Sequence, residues 1–337
     1  MNHPILSIQP LDFLWPTFNP FLFCAHHLDY YPPGKPDLSP DASLQGRNIG
    51  NDFTIRDGWR MYHGDSVPGF PVHPHRGFET VTMVQQGFVD HSDSHGQAGR
   101  YGEGDVQWMT AGAGLQHCEM FPLLKQDEGN TTELFQVWLN LPKERKFAPP
   151  YFKMLWSEDI PVYKHTCENG KSVEVNLIAG DLNGVQALTP APDSWAAFPE
   201  NEVAIWTIRL EAGASWTLPV AGKKAGRTLY FHKGSSIWIE GTEVKAGHAI
   251  ILKSDVALTI ESVDSDNLLL LLQGNPINEP VVQYGPFVMN TQEEIRQAFY
   301  DYEQTEFGGW PWPKRDQTHG TKRGRFARHK DGTEEVR

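Results

Sequence analysis

The sequence predicts an all-β protein built from two barrels or sandwiches, with one short helix near its carboxyl end. Short runs rich in β-branched and aromatic residues alternate with turn signals through most of the chain. The 31 glycines, 25 prolines and 11 tryptophans suit many short strands better than a helical bundle. A length of 337 residues is enough for about two domains of ordinary size, each with its own core.

The first β-rich region runs from Asn51 to about Leu141, in segments such as FETVTMVQQGFVDH and ELFQVWLNLP. We therefore place an amino-terminal domain at residues 1–145. Prolines and mixed charge then interrupt the pattern. This change indicates a linker or a strap over residues 146–172.

A second β-rich region begins near Val173 and repeats the turn glycines of the first. TVTMVQQG, which ends at Gly87, resembles TLYFHKG, which ends at Gly234. GDVQWM in the first half likewise resembles GHAIIL in the second. An internal duplication is the simplest explanation, so we place a second, similar domain at residues 173–308.

One helix is predicted at the end of the second region, over residues 291–303. Thr291 and Glu294 have the spacing of a capping box. An apolar stripe at helical spacing follows them, formed by Ile295, Ala298, Phe299 and Tyr302. The remaining residues, 309–337, are polar and largely basic, so we expect a mobile tail there.

Two short motifs in the first region place metal-capable side chains at alternate positions. HPH supplies His73 and His75, and HCE supplies His117 and Glu119. Because successive strand side chains point to opposite faces, each pair projects together, and Cys118 turns to the other face. Either pair alone is also typical of a polar surface. Together they predict one metal site that receives all four side chains.

Three imidazoles and one carboxylate suit one divalent transition metal, such as iron, zinc, copper or nickel, better than calcium or magnesium. Because the two domains resemble each other, their aligned positions show whether the second domain has the same metal-capable residues. Aligning the turn glycines places the four ligand positions near Val220, Gly222, Ile260 and Ser262. We therefore predict that the second domain lacks the metal ligands.

Composition excludes several classes of function. The chain has 29 basic and 42 acidic residues, for a formal charge of -13, which disfavours direct binding to nucleic acid. Three cysteines without a CxxC motif fit a reducing cytoplasm. We expect no signal peptide and no membrane-spanning helix, because the early apolar residues are interrupted by prolines and no long uncharged apolar run occurs. Two fused barrels need no partner, so a monomer is expected.

The chain strongly resembles the pirin family in three separated blocks. These are HPHRGFETVT, GDVQWMTAGAGLQHCEM and QGNPINEPVVQYGPFVMNTQEEI, in the family's order and spacing. The likeness extends from about Asn19 to Gly308. It implies two cupin barrels, with Fe(II) in the amino-terminal barrel and no metal in the other; zinc, copper, nickel and manganese are alternatives. The family's metal positions fall on His73, His75, His117 and Glu119.

Glu79 is a second acidic candidate near the first motif. In the wider cupin superfamily the HxH motif is followed by a glutamate that often binds the metal. Glu79 lies at even spacing from His73 and His75, so on a regular strand it would share their face. The resemblance favours Glu119 as the ligand, which leaves Glu79 as a nearby partner or proton acceptor.

The resemblance also implies an activity, since family members are similar to quercetin 2,3-dioxygenases. Such an enzyme would cleave a flavonol with O₂ and release carbon monoxide. Glu79 or Glu119 would take the 3-hydroxyl proton as general base. Phe78, Trp108 and Met120 are candidate walls of a pocket for a flat aromatic substrate, although each is also typical of ordinary core.

Two alternatives remain open at this point. The protein could be a non-enzymatic regulator, in which iron or its redox state controls binding to a protein partner. It could also be an enzyme for another small phenol or enediol. Turnover and redox-dependent partner capture would distinguish the enzyme from the regulator.

Overall fold

Antiparallel strands make up most of the regular secondary structure, as the turn spacing predicts. The computed structural model describes residues 3–337, and within that range the strands form sheets of seven, six, five, four and two members.

In chain order, the first strands are β1 (Ile5–Pro10), β2 (Phe21–Tyr31), β3 (Gly69–His75), β4 (Phe78–Gln86), β5 (Phe88–Asp93), β6 (Ala98–Gly102), β7 (Val106–Thr110), β8 (Leu115–Met120), β9 (Asn130–Asn140), β10 (Tyr151–Leu155), β11 (Val162–Thr166) and β12 (Ser172–Ala179). They are followed by β13 (Ala204–Leu210), β14 (Ser215–Leu218), β15 (Gly226–Lys233), β16 (Ser236–Ile239), β17 (Thr242–Lys245), β18 (His248–Leu252), β19 (Leu258–Ser262), β20 (Asn267–Gly274), β21 (Val282–Tyr284), β22 (Phe287–Met289), β23 (Phe326–Arg328) and β24 (Glu334–Val336). The α-helix α1 spans Gln292–Thr305, and short 3-10 turns lie at Lys143–Arg145, Trp195–Ala197, Pro199–Asn201 and Glu306–Gly308.

One compact unit, here the first-barrel unit, comprises His26–Val137, Leu141–Ser157 and Glu279–Arg337. Its principal sheets have the strand orders β10-β7-β4-β9-β2 and β24-β23-β6-β5-β8-β3. The predicted metal motifs lie on β3 and β8, which are paired in the second of these sheets.

The other compact unit, here the second-barrel unit, comprises the chain up to Ala25, Trp138–Asn140 and Glu158–Asn278. Its sheets have the orders β1-β18-β15-β20-β13-β12-β11 and β14-β19-β16-β17. Inward residues of both sheets share one apolar core, which includes Trp206, Leu229, Phe231, Ile260 and Leu271. A filled core of this kind is what sheets with alternating inward side chains produce.

The predicted domain boundaries are wrong at both ends of the chain. Residues 1–145 do not form one domain, because β1 pairs with β18 and so belongs to the second-barrel unit. Residues 173–308 do not form the other, because Glu279–Arg337, including α1, belongs to the first-barrel unit. Strand pairing between distant segments decides the division, and a local pattern does not contain that information.

The predicted linker at 146–172 contains two strands. Tyr151–Leu155 pairs with β7 in the first-barrel unit, and Val162–Thr166 pairs with β12 in the second-barrel unit. The segment therefore completes both units instead of only connecting them.

The prediction of a mobile tail at 309–337 is also wrong. Phe326–Arg328 pairs with β6 and in turn carries β24. Arg325 donates from Nη1 to a carboxylate oxygen of buried Asp105 over 2.8 Å, and Arg100 donates to the carbonyl of Arg323 over 2.6 Å. The basic residues that indicated a solvated tail are thus partly engaged with the first-barrel unit.

The helix prediction is confirmed. α1 begins after Thr291, whose hydroxyl accepts from the backbone of Glu294 over 3.1 Å, while the Glu294 carboxylate accepts from the backbone of Thr291 over 2.9 Å. These two bonds form the capping box. No helix among residues 3–337 is long and apolar enough to cross a bilayer.

Candidate metal centre

The three predicted histidine ligands meet inside the first-barrel unit. His73 lies opposite His117 in the pairing of β3 with β8, and a register shift between Phe70 and His73 sets that pairing. The ring centroids of His73 and His75 are 4.8 Å apart, and those of His75 and His117 are 5.0 Å apart. One nitrogen from each ring lies within 4.8 Å of the others. This spacing allows one ion to contact all three rings.

Glu119 lies beside this group, because it follows His117 by two positions on β8 and so projects on the same side. Its Oε2 is 3.9 Å from Nε2 of His117. Thr82 donates to Oε1 over 3.2 Å and Gln136 donates to Oε2 over 3.2 Å. The hydroxyl of Tyr101 lies 3.5 Å from Oε1. Side chains from three other strands therefore fix the direction of this carboxylate.

Hydrogen bonding at the rings fits a metal site. The Nδ1 of His73 lies 2.8 Å from the carbonyl oxygen of Pro71, and that of His75 lies 3.3 Å from the carbonyl of Pro286. A carbonyl oxygen can only accept, so both Nδ1 atoms carry the proton and both Nε2 atoms keep a lone pair. Such outer contacts typically orient metal-binding histidines.

His117 gives the strongest indication of an ion. The ring is fully buried, and neither of its nitrogens has a hydrogen-bond partner among residues 3–337. A buried polar group without a partner is costly, so such groups call for an explanation. A coordinated divalent transition metal would satisfy one of these nitrogens, and the donor set fits such an ion.

The electrostatics keep the rings in the form that binds metal. Burial lowers the pKa of His73 to about 4, against the smaller opposing effect of its bond to Pro71. Burial also holds the pKa values of His75 and His117 well below their usual range, and the neighbouring histidines add to the effect. Burial raises the pKa of Glu119, while His91 and the hydrogen bonds to the carboxylate oppose this shift. Neutral imidazoles are the species that coordinate metals.

Comparisons with known proteins agree with this geometry. Residues 43–139 match the sequence family described as Pirin, and residues 205–308 match the Pirin C-terminal cupin domain. The chain is 39% identical over 308 residues to "Putative quercetin 2,3-dioxygenase PA2418" of Pseudomonas aeruginosa, across 90% of this chain and 92% of that protein. The chain belongs to the pirin family.

Other members and a solved structure support the same fold. Pirin-1 of Arabidopsis thaliana is 37% identical, across 71% of this pirin-family chain and 78% of its own length. The crystal structure of a quercetin 2,3-dioxygenase from Acinetobacter baumannii has a TM-score of 0.70 at 27% identity, across 91% of this chain and 98% of that one. The predictions of the family and of two cupin barrels are confirmed.

Glu79 does not share a face with the histidines of this pirin-family chain. His75 ends β3 and Phe78 begins β4, and these two strands belong to different sheets. Gly77, with a φ of 86°, lies between them and turns the chain. The regular strand that would have carried His73, His75 and Glu79 together is therefore absent here.

Alternation along β4 then places Glu79 on the opposite side of the strand. The ring of Phe78 lies 5.1 Å from that of His75, and Thr82 contacts Glu119, so both point towards the candidate centre. Glu79 is at odd spacing from both residues and points away. Its carboxylate accepts from the hydroxyl of Thr110 over 2.7 Å. The predicted role of Glu79 beside the metal is wrong for this reason.

The three predicted pocket residues have different environments. Phe78 borders His75 and remains a candidate wall. Trp108 pairs with Val81, which is on the face of β4 opposite Thr82, so the indole points away from the centre. Met120 alternates with Glu119 and packs in a separate apolar cluster that includes Cys118. The pocket prediction is therefore wrong for Trp108 and Met120, which are core residues.

Sequence reasoning missed His91. This residue lies opposite Glu119 in the pairing of β5 with β8, and its ring centroid is 5.4 Å from that of His117. The ring stacks on Phe152 at 5.3 Å, and its Nε2 lies 3.4 Å from a carboxylate oxygen of Asp93. Its Nδ1 is buried without a hydrogen-bond partner in the described part of the chain. The alternation of FVDHSD gave a signal, but only the β5–β8 register connects it to the metal motif.

Proposed function

We propose that this protein is an iron-dependent dioxygenase that cleaves flavonols such as quercetin with O₂ and releases carbon monoxide. The observation that carries the proposal is the group of three neutral imidazoles, with the carboxylate of Glu119 beside His117. The names of the Pseudomonas and Acinetobacter relatives support the substrate class.

Four residues would hold the ion: His73, His75 and His117 through ring nitrogens, and Glu119 through its carboxylate. Four protein ligands leave room on a five- or six-coordinate Fe(II) for substrate oxygen and O₂. When bound, the ion would act as a Lewis acid that stabilises the oxyanion of the flavonol 3-hydroxyl. Zinc, copper, nickel and manganese are alternatives with the same donor set.

The protein would contribute orientation around this point. The Pro71 carbonyl fixes the ring of His73, so its Nε2 faces the shared position. Thr82 donates to Glu119 and lies 3.0 Å from the carbonyl oxygen of the Gln136 amide, which links β4, β8 and β9. Fixed ligand directions lower the reorganisation that the reaction requires.

Glu119 is the residue that we propose as proton acceptor. Its carboxylate is buried and is the acid in contact with His117, whereas Glu79 faces the other side of β4. A positioned acid or base typically contributes about 10² to 10⁴ fold to rate. Phe78, beside His75, would provide an apolar wall for the flat substrate.

Assay of the full chain with quercetin tests this proposal. We expect the Fe(II)-loaded protein to bleach quercetin under O₂ and to release one carbon monoxide for each molecule consumed, while H117A does neither. H165A, in the second-barrel unit, is the matched control and should behave as wild type. Loss of quercetin without carbon monoxide would contradict the assigned reaction.

A second assay separates the enzyme from the regulator. If the iron-loaded protein leaves quercetin and other small phenols intact, the dioxygenase proposal fails. Capture of a protein partner that depends on Fe(II) or Fe(III) would then favour the regulator.

A further inference from the structure

The second-barrel unit contains a cavity of about 520 Å³ that the proposed chemistry does not use. It lies beside the segment that joins β12 to β13, and its lining residues all belong to that unit. Such a volume is typical of sites for small molecules.

Arg227 lies on β15 and lines this cavity. Arg227 shares a face of β15 with Leu229, a residue of the barrel core, so it points inward.

Arg227 is buried without an ion-pair partner. Its side chain lines the cavity, and the residue is only 2% exposed. Its Nε donates to the amide oxygen of Gln273 over 2.8 Å, and one Nη donates to the carbonyl of Pro219 over 2.8 Å. Both acceptors are neutral. Among residues 3–337, no carboxylate lies within ion-pair distance of this guanidinium.

Glu202 is the acid whose charge acts on Arg227, and part of its carboxylate is occupied by another hydrogen bond. Glu202 also lines the cavity, but one of its oxygens accepts from the backbone of Gly222 over 2.8 Å. Burial lowers the pKa of Arg227 to about 10, and the charge of Glu202 opposes the shift without reversing it. The guanidinium stays charged at neutral pH, and a buried charge without a partner is costly.

The walls of the cavity combine apolar and polar surface in nearly equal parts. The apolar part includes Leu188, Phe198, Trp206, Pro219 and Val220. A ligand that fits must therefore combine an apolar body with an anionic group that can reach Arg227. A guanidinium binds a carboxylate through parallel N–H donors, and such bonds are among the strongest hydrogen bonds in proteins.

We infer that this cavity binds a small monocarboxylic acid with a flat or branched apolar body, whose carboxylate pairs with Arg227. The ligand would supply the missing negative charge, and its body would contact Phe198 and Trp206. The site is separate from the metal centre and does not depend on the proposed oxygenase activity.

Isothermal titration of the full chain with sodium benzoate, phenylacetate and hexanoate tests the inference. At least one acid should bind, and benzamide, which has the shape of benzoate without its charge, should not. H117A should bind the acid as tightly as wild type. This variant lacks a predicted metal ligand, so unchanged affinity would exclude binding of the carboxylate to a metal in the first-barrel unit. Acid binding by H117A would also show that this site does not depend on the proposed oxygenase activity.

Two variants locate the binding site. R227Q keeps part of the hydrogen bonding but removes the charge, and should weaken binding on the order of 10 to 100 fold. V220W places an indole at the rim and should block binding without touching the guanidinium; Val220 is 60% exposed, so the protein should still fold. R209Q, at an exposed arginine on the same sheet, is the control and should bind normally.

The inference is overturned if none of the three acids binds wild type, if R227Q binds as tightly as wild type, or if H117A abolishes binding. If R227Q does not fold, the affinity of V220W is the test that remains. An affinity equal to that of wild type would also overturn the inference.

Discussion

His73 and His117 lie opposite each other on β3 and β8, with ring centroids 4.5 Å apart. Two imidazoles at this distance would repel if both were protonated, and desolvation lowers the pKa of both rings. In the neutral form each ring keeps a lone pair, which a shared metal ion would bind. This relationship makes the metal content of the protein the first property to measure.

Replacement of His117 should remove most of the bound metal. Its ring lies beside both other histidines and its Nε2 is 3.9 Å from Glu119, so H117A removes the donor that links the His73–His75 pair to the carboxylate. Elemental analysis of purified H117A should show a large loss relative to wild type, whereas H165A keeps a normal content. Equal content in wild type and H117A would contradict the site.

Replacement of Thr82 should weaken metal binding while the ligands stay in place. T82V removes the hydroxyl that donates to Glu119, and loss of such a contact commonly costs about 10 to 100 fold in affinity. T80V is the matched control: Thr80 is buried on the same face of β4, and its hydroxyl has no hydrogen-bond partner among residues 3–337. Competition with a chelator should separate the two variants, and similar metal loss in both would refute the role of Thr82.

Glu79 and Glu119 should differ sharply when each is substituted. E119A removes a predicted ligand and should lose most of the metal. E79Q should keep its metal, because Glu79 faces Thr110 on the other side of β4. Metal content and quercetin turnover should both be near normal in E79Q. A matching loss in the two variants would place Glu79 at the centre after all.

Lys146 should give the stability of the protein a specific pH dependence. Its ammonium donates to the carbonyls of Gly77 and Val288 over 2.9 and 3.1 Å, yet burial lowers its pKa from 10.5 to about 8. Between these two values the folded state binds fewer protons than the unfolded state, so the contribution of Lys146 to stability rises with pH.

K146M provides the comparison for this effect. The free energy of unfolding of wild type, minus that of K146M, should increase by about 2 kcal/mol between about pH 7.5 and about pH 9.5. Urea denaturation at both pH values measures the difference. A flat or falling difference would show that Lys146 titrates normally.

Removal of the carboxyl-terminal strands should destabilise the first-barrel unit. Truncation after Gly309 removes the β23 pairing with β6 and the Arg325 contact to buried Asp105. We expect the melting temperature to fall by at least about 5 °C. K322Q, at an exposed position, is the control. An unchanged melting temperature on truncation would mean that these contacts add no stability.

The success of the sequence analysis follows from the range of the interactions involved. The sequence grouped His73, His75, His117 and Glu119 correctly in space because side-chain alternation acts over two residues, and their role as metal ligands stays a prediction. Their meeting point depends on the pairing of β3 with β8, which the four strands β4 to β7 separate along the chain. The helix was found for the same reason, since its capping box and apolar stripe are local.

The errors arose where a distant contact or a turn decides the outcome. Gly77 interrupts the strand between His75 and Glu79, which reverses the face of the glutamate. His91 becomes part of the centre only through its register with Glu119. The pairing of Phe326 with Arg100 joins residues far apart in the chain, and no local pattern could have predicted it.

The order in which the segments of the first-barrel unit occur along the chain has a consequence for its synthesis on the ribosome. Its chain starts at His26, yet its sheet is completed by β23 and β24, close to Arg337. The second-barrel unit has all its segments once Asn278 has left the ribosome. The barrel that starts earlier is thus completed later, because β23 and β24 follow every segment of the second-barrel unit along the chain.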